Sequence, residues 1–153
     1  MQKMYVFVGV PASGKSTYAK IHMDGIDILS GDEFRKKLLK DETDQSNNEL
    51  VFGELYKKAR QILKSGKDLV IDGTNINEFE RKRVLSQFSD FELERIAVYF
   101  CTALEKCYAR DEKRNRTVGR DVIDDYASRF EMPTIEEGFD KIEIVDMNEF
   151  WVV

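Results

Sequence analysis

The stretch Gly9-Val10-Pro11-Ala12-Ser13-Gly14-Lys15-Ser16 follows directly on the apolar run Met4-Tyr5-Val6-Phe7-Val8. It fits G-x-x-x-x-G-K-[ST] at every fixed position. A short continuous apolar run predicts a strand buried on both faces. A helix is predicted from about Ser16 to Met23. Strand, glycine-rich loop and helix form the context that makes the match specific. A loop that wraps a phosphate needs converging backbone N–H groups and no side chains at its tight points. The helix behind it adds its N-terminal donors and the positive end of its dipole. Lys15 then supplies a mobile cation to the outer phosphates, and Ser16 a hydroxyl for Mg²⁺. The donor-binding residues expected here are Gly9, Ala12, Ser13, Gly14, Lys15, Ser16 and Thr17.

Outward from this loop, strands and helices alternate. Asp27-Ile28-Leu29, Leu69-Val70-Ile71, Ile96–Phe100 and Lys141–Val145 read as further strands. Between them, helices are predicted from Ser30 or Asp32 to Leu39, from Asn47 to Ser65-Gly66, and from Asn77 or Glu78 to about Phe88. Two more are expected, one capped by Thr102 and reaching about Arg114, and one from about Asp121 to Phe130, stopped by Pro133. The alternation implies an α/β fold of the P-loop NTPase type, a parallel sheet with helices on both faces in a three-layer, kinase-type sandwich. No repeat or linker divides the chain, so residues 1–153 are expected to form one P-loop domain.

The chain has 153 residues, 24 basic and 29 acidic, for a formal net charge of −5. An all-over basic coat is excluded. Between Asp121 and Val153 there are ten acidic residues against two basic, a local −8, which leaves +3 on the first 120 residues. Cys101 and Cys107 make no disulfide framework and read as small core residues. A single histidine, His22, argues against a zinc site or a Ser-His-Asp hydrolase and reads as a surface or capping residue. No run is long enough to span a bilayer, so a cytoplasmic location without membrane contact is expected.

The loop identifies a donor nucleotide, not a reaction. A GTP switch usually carries N-K-x-D, which is absent, so a compact kinase fits the length best. In a parallel sheet, ligands bind at the C-terminal ends of the strands. Asp32 sits there, and Arg35 falls one helical turn later. Asp32 suits acceptance of a hydroxyl proton, and Arg35 suits a phosphate; an ordinary cap with an i,i+3 ion pair reads equally from the spacing. Asp72 ends another strand at the same edge and could order Mg²⁺, directly or through water, or contact the acceptor. Gly73-Thr74-Asn75 adds a close backbone approach and two polar side chains. Arg110 and Arg114 share a helix face in the densest basic cluster, with Lys113, Arg116 and Arg120. Cations there suit a moving γ-phosphate, although the interleaved Asp111 and Glu112 fit a solvated face as well.

Taken together, GVPASGKST, SGDEFR, VIDGTNIN, ARDEKRNR and the segment Tyr126–Phe139 resemble the 5′-hydroxyl polynucleotide kinase domain of phage and animal end-healing enzymes. The resemblance covers nearly the whole chain. It implies that Asp32 and Lys15 are catalytic together with Arg114, that Arg110 and Arg114 are lid arginines on the donor, and that Arg35, Asp32, Asp72, Thr74 and Asn75 bind the acceptor. It implies ATP or another NTP with Mg²⁺, and 5′-hydroxyl ends of DNA or RNA as substrate. Two further readings share the loop: a kinase of nucleosides, nucleotides or sugars, and a regulatory nucleotide-binding module without transfer. The apolar tail Phe150–Val153 is expected to pack on its own sheet, or else to meet a second subunit.

Overall fold

A computed structural model describes residues 1–114 and 117–147. Arg116 and the tail Phe150–Val153 lie outside the described residues. Strands β1 (Lys3–Val8), β2 (Asp27–Ser30), β3 (Leu69–Asp72), β4 (Glu94–Cys101) and β5 (Lys141–Asp146) form one sheet in the order β2-β3-β1-β4-β5. Every pairing is parallel, with β1 held centrally between β3 (Val6 opposite Ile71) and β4 (Val8 opposite Tyr99).

The continuous apolar reading of the central strands follows from their two covered faces. Met4, Val6 and Val8 pack on one side with Leu55, Ala59 and Leu63 of α3 (Asn48–Lys64) and with Val84 and Leu85 of α4 (Glu78–Ser86). Phe7, Val70, Val98 and Phe100 pack on the other with Ala19 of α1 (Lys15–His22) and Met23. Three layers result, and the predicted fold class stands. Under the phosphate loop, Ala12, Cys107 and Ile123 form a small separate cluster. Cys107 belongs to α5 (Leu104–Lys113) and Ile123 to α6 (Arg120–Ser128).

Local chemistry sets the helix ends. Ser30 rather than Asp32 caps α2 (Gly31–Leu39), accepting from the Glu33 N–H at 3.1 Å. Asn47 and Asn77 cap α3 and α4 through the N–H groups of Leu50 and Glu80. Gly66, at φ +84°, sits just past the end of α3 in the left-handed conformation a helix stop favours. Three sequence expectations are corrected. Thr102 does not cap α5; its hydroxyl donates to the Ser13 carbonyl at 2.7 Å, tying β4 to the phosphate loop. α6 ends at Ser128, well short of Pro133, because Arg129 takes the cap and its N–H returns to Asp125, Tyr126 and Ala127 carbonyls. Cys101 is exposed at the end of β4, so only Cys107 is a core cysteine. His22 is exposed and lies against the Tyr18 ring, as a surface residue should. Among the described residues no helix is long and apolar enough to cross a membrane.

One charged pair lies inside the fold. Arg81 is fully buried and binds Glu137 with two hydrogen bonds, at 2.8 and 2.7 Å; Glu137 closes a 3₁₀ turn at Ile135–Glu137. Removing one partner strands a buried charge. Glu137→Leu should lower stability by about 3–5 kcal/mol, and Arg81→Met/Glu137→Leu should be more stable than either single variant. Thermal melts of the three proteins check this.

Candidate active site

The loop between β1 and α1 has its shape imposed by glycine. A Cβ on Gly9 would stand 2.7 Å from Ser13 Oγ, and one on Gly14 would stand 3.0 Å from Met147 Cγ. Gly14 also sits at φ +102°, where a side chain is strained. Lys15 Nζ folds back and donates to the carbonyls of Gly9 and Val10, both at 2.9 Å. Burial pushes its pKa down, and the field of Asp72 opposes that. Arg114 also acts on Lys15, in the same direction as burial. Ser16 is exposed on the first turn of α1.

The neighbouring strand end is stitched to this loop. Gly9 N–H donates to the Thr74 carbonyl at 2.9 Å, and the Asn75 side-chain amide donates to the Phe7 carbonyl at 2.8 Å. Asn75 sits at φ +42°, a left-handed conformation that asparagine tolerates better than most residues. Its own carbonyl accepts from Arg81 Nη1 at 2.9 Å. The amide read from sequence as an acceptor contact is therefore spent on the scaffold, although Asn75 and Thr74 line the cleft.

Asp72 ends β3 with Oδ1 buried and without a hydrogen-bond partner. Burial pushes its pKa up, and Lys15 pulls it back. An unpaired carboxylate oxygen beside a phosphate loop, together with the Ser16 hydroxyl, is a donor set that suits a nucleotide-borne Mg²⁺, which takes most of its ligands from phosphates and water. Among the described residues there is no group of three or more His, Cys, Asp or Glu that could cage a metal ion.

Asp32 and Arg35 form an ion pair at 2.9 Å, with Asp32 half exposed and Arg35 mostly buried. Arg35 Nε also donates to Asn48 Oδ1 at 3.2 Å, so α3 fixes the guanidinium from behind. On the far side, Arg110 donates to the Thr17 hydroxyl, and Arg114 pairs with Asp111 at 2.7 Å. Arg114 Nε is buried without a partner.

A solvated helix face was one of two open readings for the segment that holds Asp111. Asp111 is instead buried and accepts from the N–H groups of Val118 and Gly119, at 3.0 and 2.8 Å, as well as from Arg114. Burial pushes its pKa up, but these three donors outweigh burial and hold it below the usual value. Cys107, packed under the loop, has its thiol pushed up to about 11 by burial.

A cleft of about 910 Å³ runs between these groups. Its walls include Ala12, Ser13, Gly14, Lys15, Ser16, Asp32, Arg35, Asp72, Thr74, Asn75, Arg110 and Arg114. Gly9 and Thr17 do not line it. Sequence reasoning missed Asp111, Thr102 and Met147, and it missed a wall of Phe52, Tyr56 and Arg83 on the side facing α3 and α4.

A family model described as AAA domain matches residues 4–133. A bifunctional polynucleotide phosphatase/kinase of Schizosaccharomyces pombe is 28% identical over 151 residues, covering 94% of this chain but only 33% of that protein. The chain thus spans about a third of that relative. A UPF0200 protein of Methanosarcina acetivorans is 35% identical over 147 residues, covering 86% of this chain and 76% of that protein. Among solved structures, a chain of the Pnkp1/Rnl/Hen1 RNA repair complex superposes with a TM-score of 0.75 at 20% identity, over 84% of this chain and 43% of that one. A sugar kinase from Janibacter superposes with a TM-score of 0.68 at 14% identity, over 96% and 86%.

The buried charge of Asp72 predicts a cost to stability. Its ordinary value is 3.8. The unfolded chain ionises there and the folded chain at a higher pH, so stability falls as pH rises from 3.8 through the folded value. Asp72→Asn should therefore melt higher than the parent at pH 7, and the gap should close below pH 3.8. Melting curves of both proteins against pH check the sign.

Proposed function

The chain belongs to the AAA domain family (AAA_33), and from that premise we propose that it is a Mg²⁺-dependent kinase that moves the γ-phosphate of ATP or another NTP to the 5′-hydroxyl end of DNA or RNA. Phosphoryl transfer on a P-loop is the broader statement, and nucleotide binding goes with it. The strand-end acceptor is the finer one. The observation that carries it is the Asp32–Arg35 pair, which shares one cleft with Lys15 and is anchored from α3. A carboxylate for a hydroxyl proton beside a cation for a neighbouring phosphate suits an alcohol that carries a phosphate close by. The likeness to a polynucleotide phosphatase/kinase over 94% of the chain supports the same reading.

In this account the loop from Gly9 to Thr17, with Ala12, Ser13 and Gly14 at the tight points, wraps the donor phosphates, while the Gly9 N–H stays on the Thr74 carbonyl. Lys15 leaves the loop carbonyls for the outer phosphates. Mg²⁺, held by Ser16 and by Asp72 directly or through water, would neutralise charge building on the phosphates. Arg35 positions the acceptor by its nearest phosphate. Asp32 takes the proton from the 5′-hydroxyl as that oxygen bonds to the γ-phosphorus, and the bond from phosphorus to the β-phosphate oxygen breaks in line. Arg114, exchanging Asp111 for the transferring group, and Arg110 stabilise charge in flight. Residues 106–120 act as the lid of a single P-loop kinase domain. Thr74 and Asn75 shape the acceptor wall.

Label from γ-labelled ATP should appear on 5′-hydroxyl oligonucleotides rather than on nucleosides or sugars. Label on a sugar or nucleoside would instead favour a small-molecule kinase, and hydrolysis without any acceptor a regulatory module. Asp32→Asn should slow transfer by about 10²–10⁴, and Arg114→Ala by about 10³ or more, with melting temperatures recorded for both. Full activity in either variant would overturn its role. Few phosphates are gripped, so log K against log[salt] for an oligonucleotide should have a slope shallower than about −5.

A further inference from the structure

The acceptor side of the cleft holds a cation that the proposed transfer does not use. The Arg83 guanidinium, on α4, lies 5.7 Å from the centre of the Phe52 ring. The Arg35 guanidinium lies 5.6 Å from the centre of the same ring. One aromatic ring thus holds two cations on one wall of the cleft. The two differ in how they are compensated. Arg35 is buried and paired with Asp32. Arg83 is exposed and enters no ion pair among the described residues, although Glu80 lines the same wall. Tyr56, which packs near Phe52 and lines the cleft, has a buried hydroxyl that lies within the field of the Arg83 guanidinium. A second cation without a carboxylate of its own leaves positive charge on this wall for an incoming anion. A neutral sugar or nucleoside would gain nothing from it. An acceptor with a further anionic group beyond the one on Arg35 would.

We propose that Phe52 and Arg83 form a second phosphate subsite, in which Arg35 takes the phosphate nearest the reacting hydroxyl and Arg83 the next one along the strand. This rests on the strand-end reading of the acceptor. The enzyme then selects acceptors with at least two consecutive phosphates, and Arg83 is the residue that sets this preference.

The test compares two 5′-hydroxyl acceptors, a nucleoside 3′-phosphate and a dinucleotide bearing a 3′-phosphate, with a sugar as control. Wild-type kcat/KM should favour the dinucleotide by about 10–100-fold, the weight of one charge-assisted contact. In Arg83→Gln the ratio should fall to within about threefold, through the KM of the dinucleotide. Phe52→Leu should fall in between, with melting temperatures recorded for both variants. For binding of a 5′-hydroxyl oligonucleotide, Arg83→Gln should make the salt slope shallower by about 0.7. No preference in the wild type, or an equal preference in Arg83→Gln while oligonucleotides are still phosphorylated, overturns the subsite and leaves the transfer reading intact. Label on the sugar alone overturns both.

Discussion

The site depends on how two parallel strands stop pairing. β1 and β3 run in register up to Val6 and Ile71, and beyond that point their backbones diverge around the phosphate loop. Buried peptide groups at such a divergence must find new partners. The Gly9 N–H finds the Thr74 carbonyl, and the Phe7 carbonyl finds the Asn75 amide. These two bonds hold the donor loop against the segment after β3, and so bring Lys15 within the field of Asp72. The chain of dependence runs further. Asn75 is held by Arg81, and Arg81 by Glu137, which lies 56 residues beyond it. A segment near β5 therefore helps to set the shape of this cleft wall.

Much of this was legible in the sequence because it is local. The loop motif, the Ser30 and Asn77 caps, and the Asp32–Arg35 pair all lie within eight residues of their partners. Strand order was not legible beyond parallelism, because it depends on which crossovers close. What was not legible has separate causes. Asp111 satisfies backbone N–H groups beyond the end of α5, and no side-chain pattern marks a backbone donor. Arg81 sits on the buried face with Val84 and Leu85, and no local pattern points to its carboxylate, 56 residues away. Thr102 looked like a cap because capping is the commonest use of a threonine before a helix; a carbonyl in the phosphate loop took its hydroxyl instead.

The charge pattern gains meaning from the same geometry. The acidic excess lies after Arg120, while Lys15, Arg35, Arg83, Arg110 and Arg114 face one cleft. Two of these cations, Arg35 and Arg114, are held by carboxylates that an incoming phosphate can replace or share. Such exchange lets the protein keep a negative overall charge and still present cations where phosphate groups arrive. It also favours grip at a few points over broad attraction along a strand.

The central claim is that Asp32 and Arg35 receive a strand end next to the donor phosphates. A crystal structure with a non-hydrolysable ATP analogue, Mg²⁺ and a short 5′-hydroxyl oligonucleotide tests it most directly. The account predicts the 5′-oxygen within hydrogen-bonding distance of an Asp32 carboxylate oxygen, facing the γ-phosphate, with the first phosphate of the strand on Arg35. A strand bound elsewhere on the surface, or a 5′-oxygen turned away from Asp32, would contradict it.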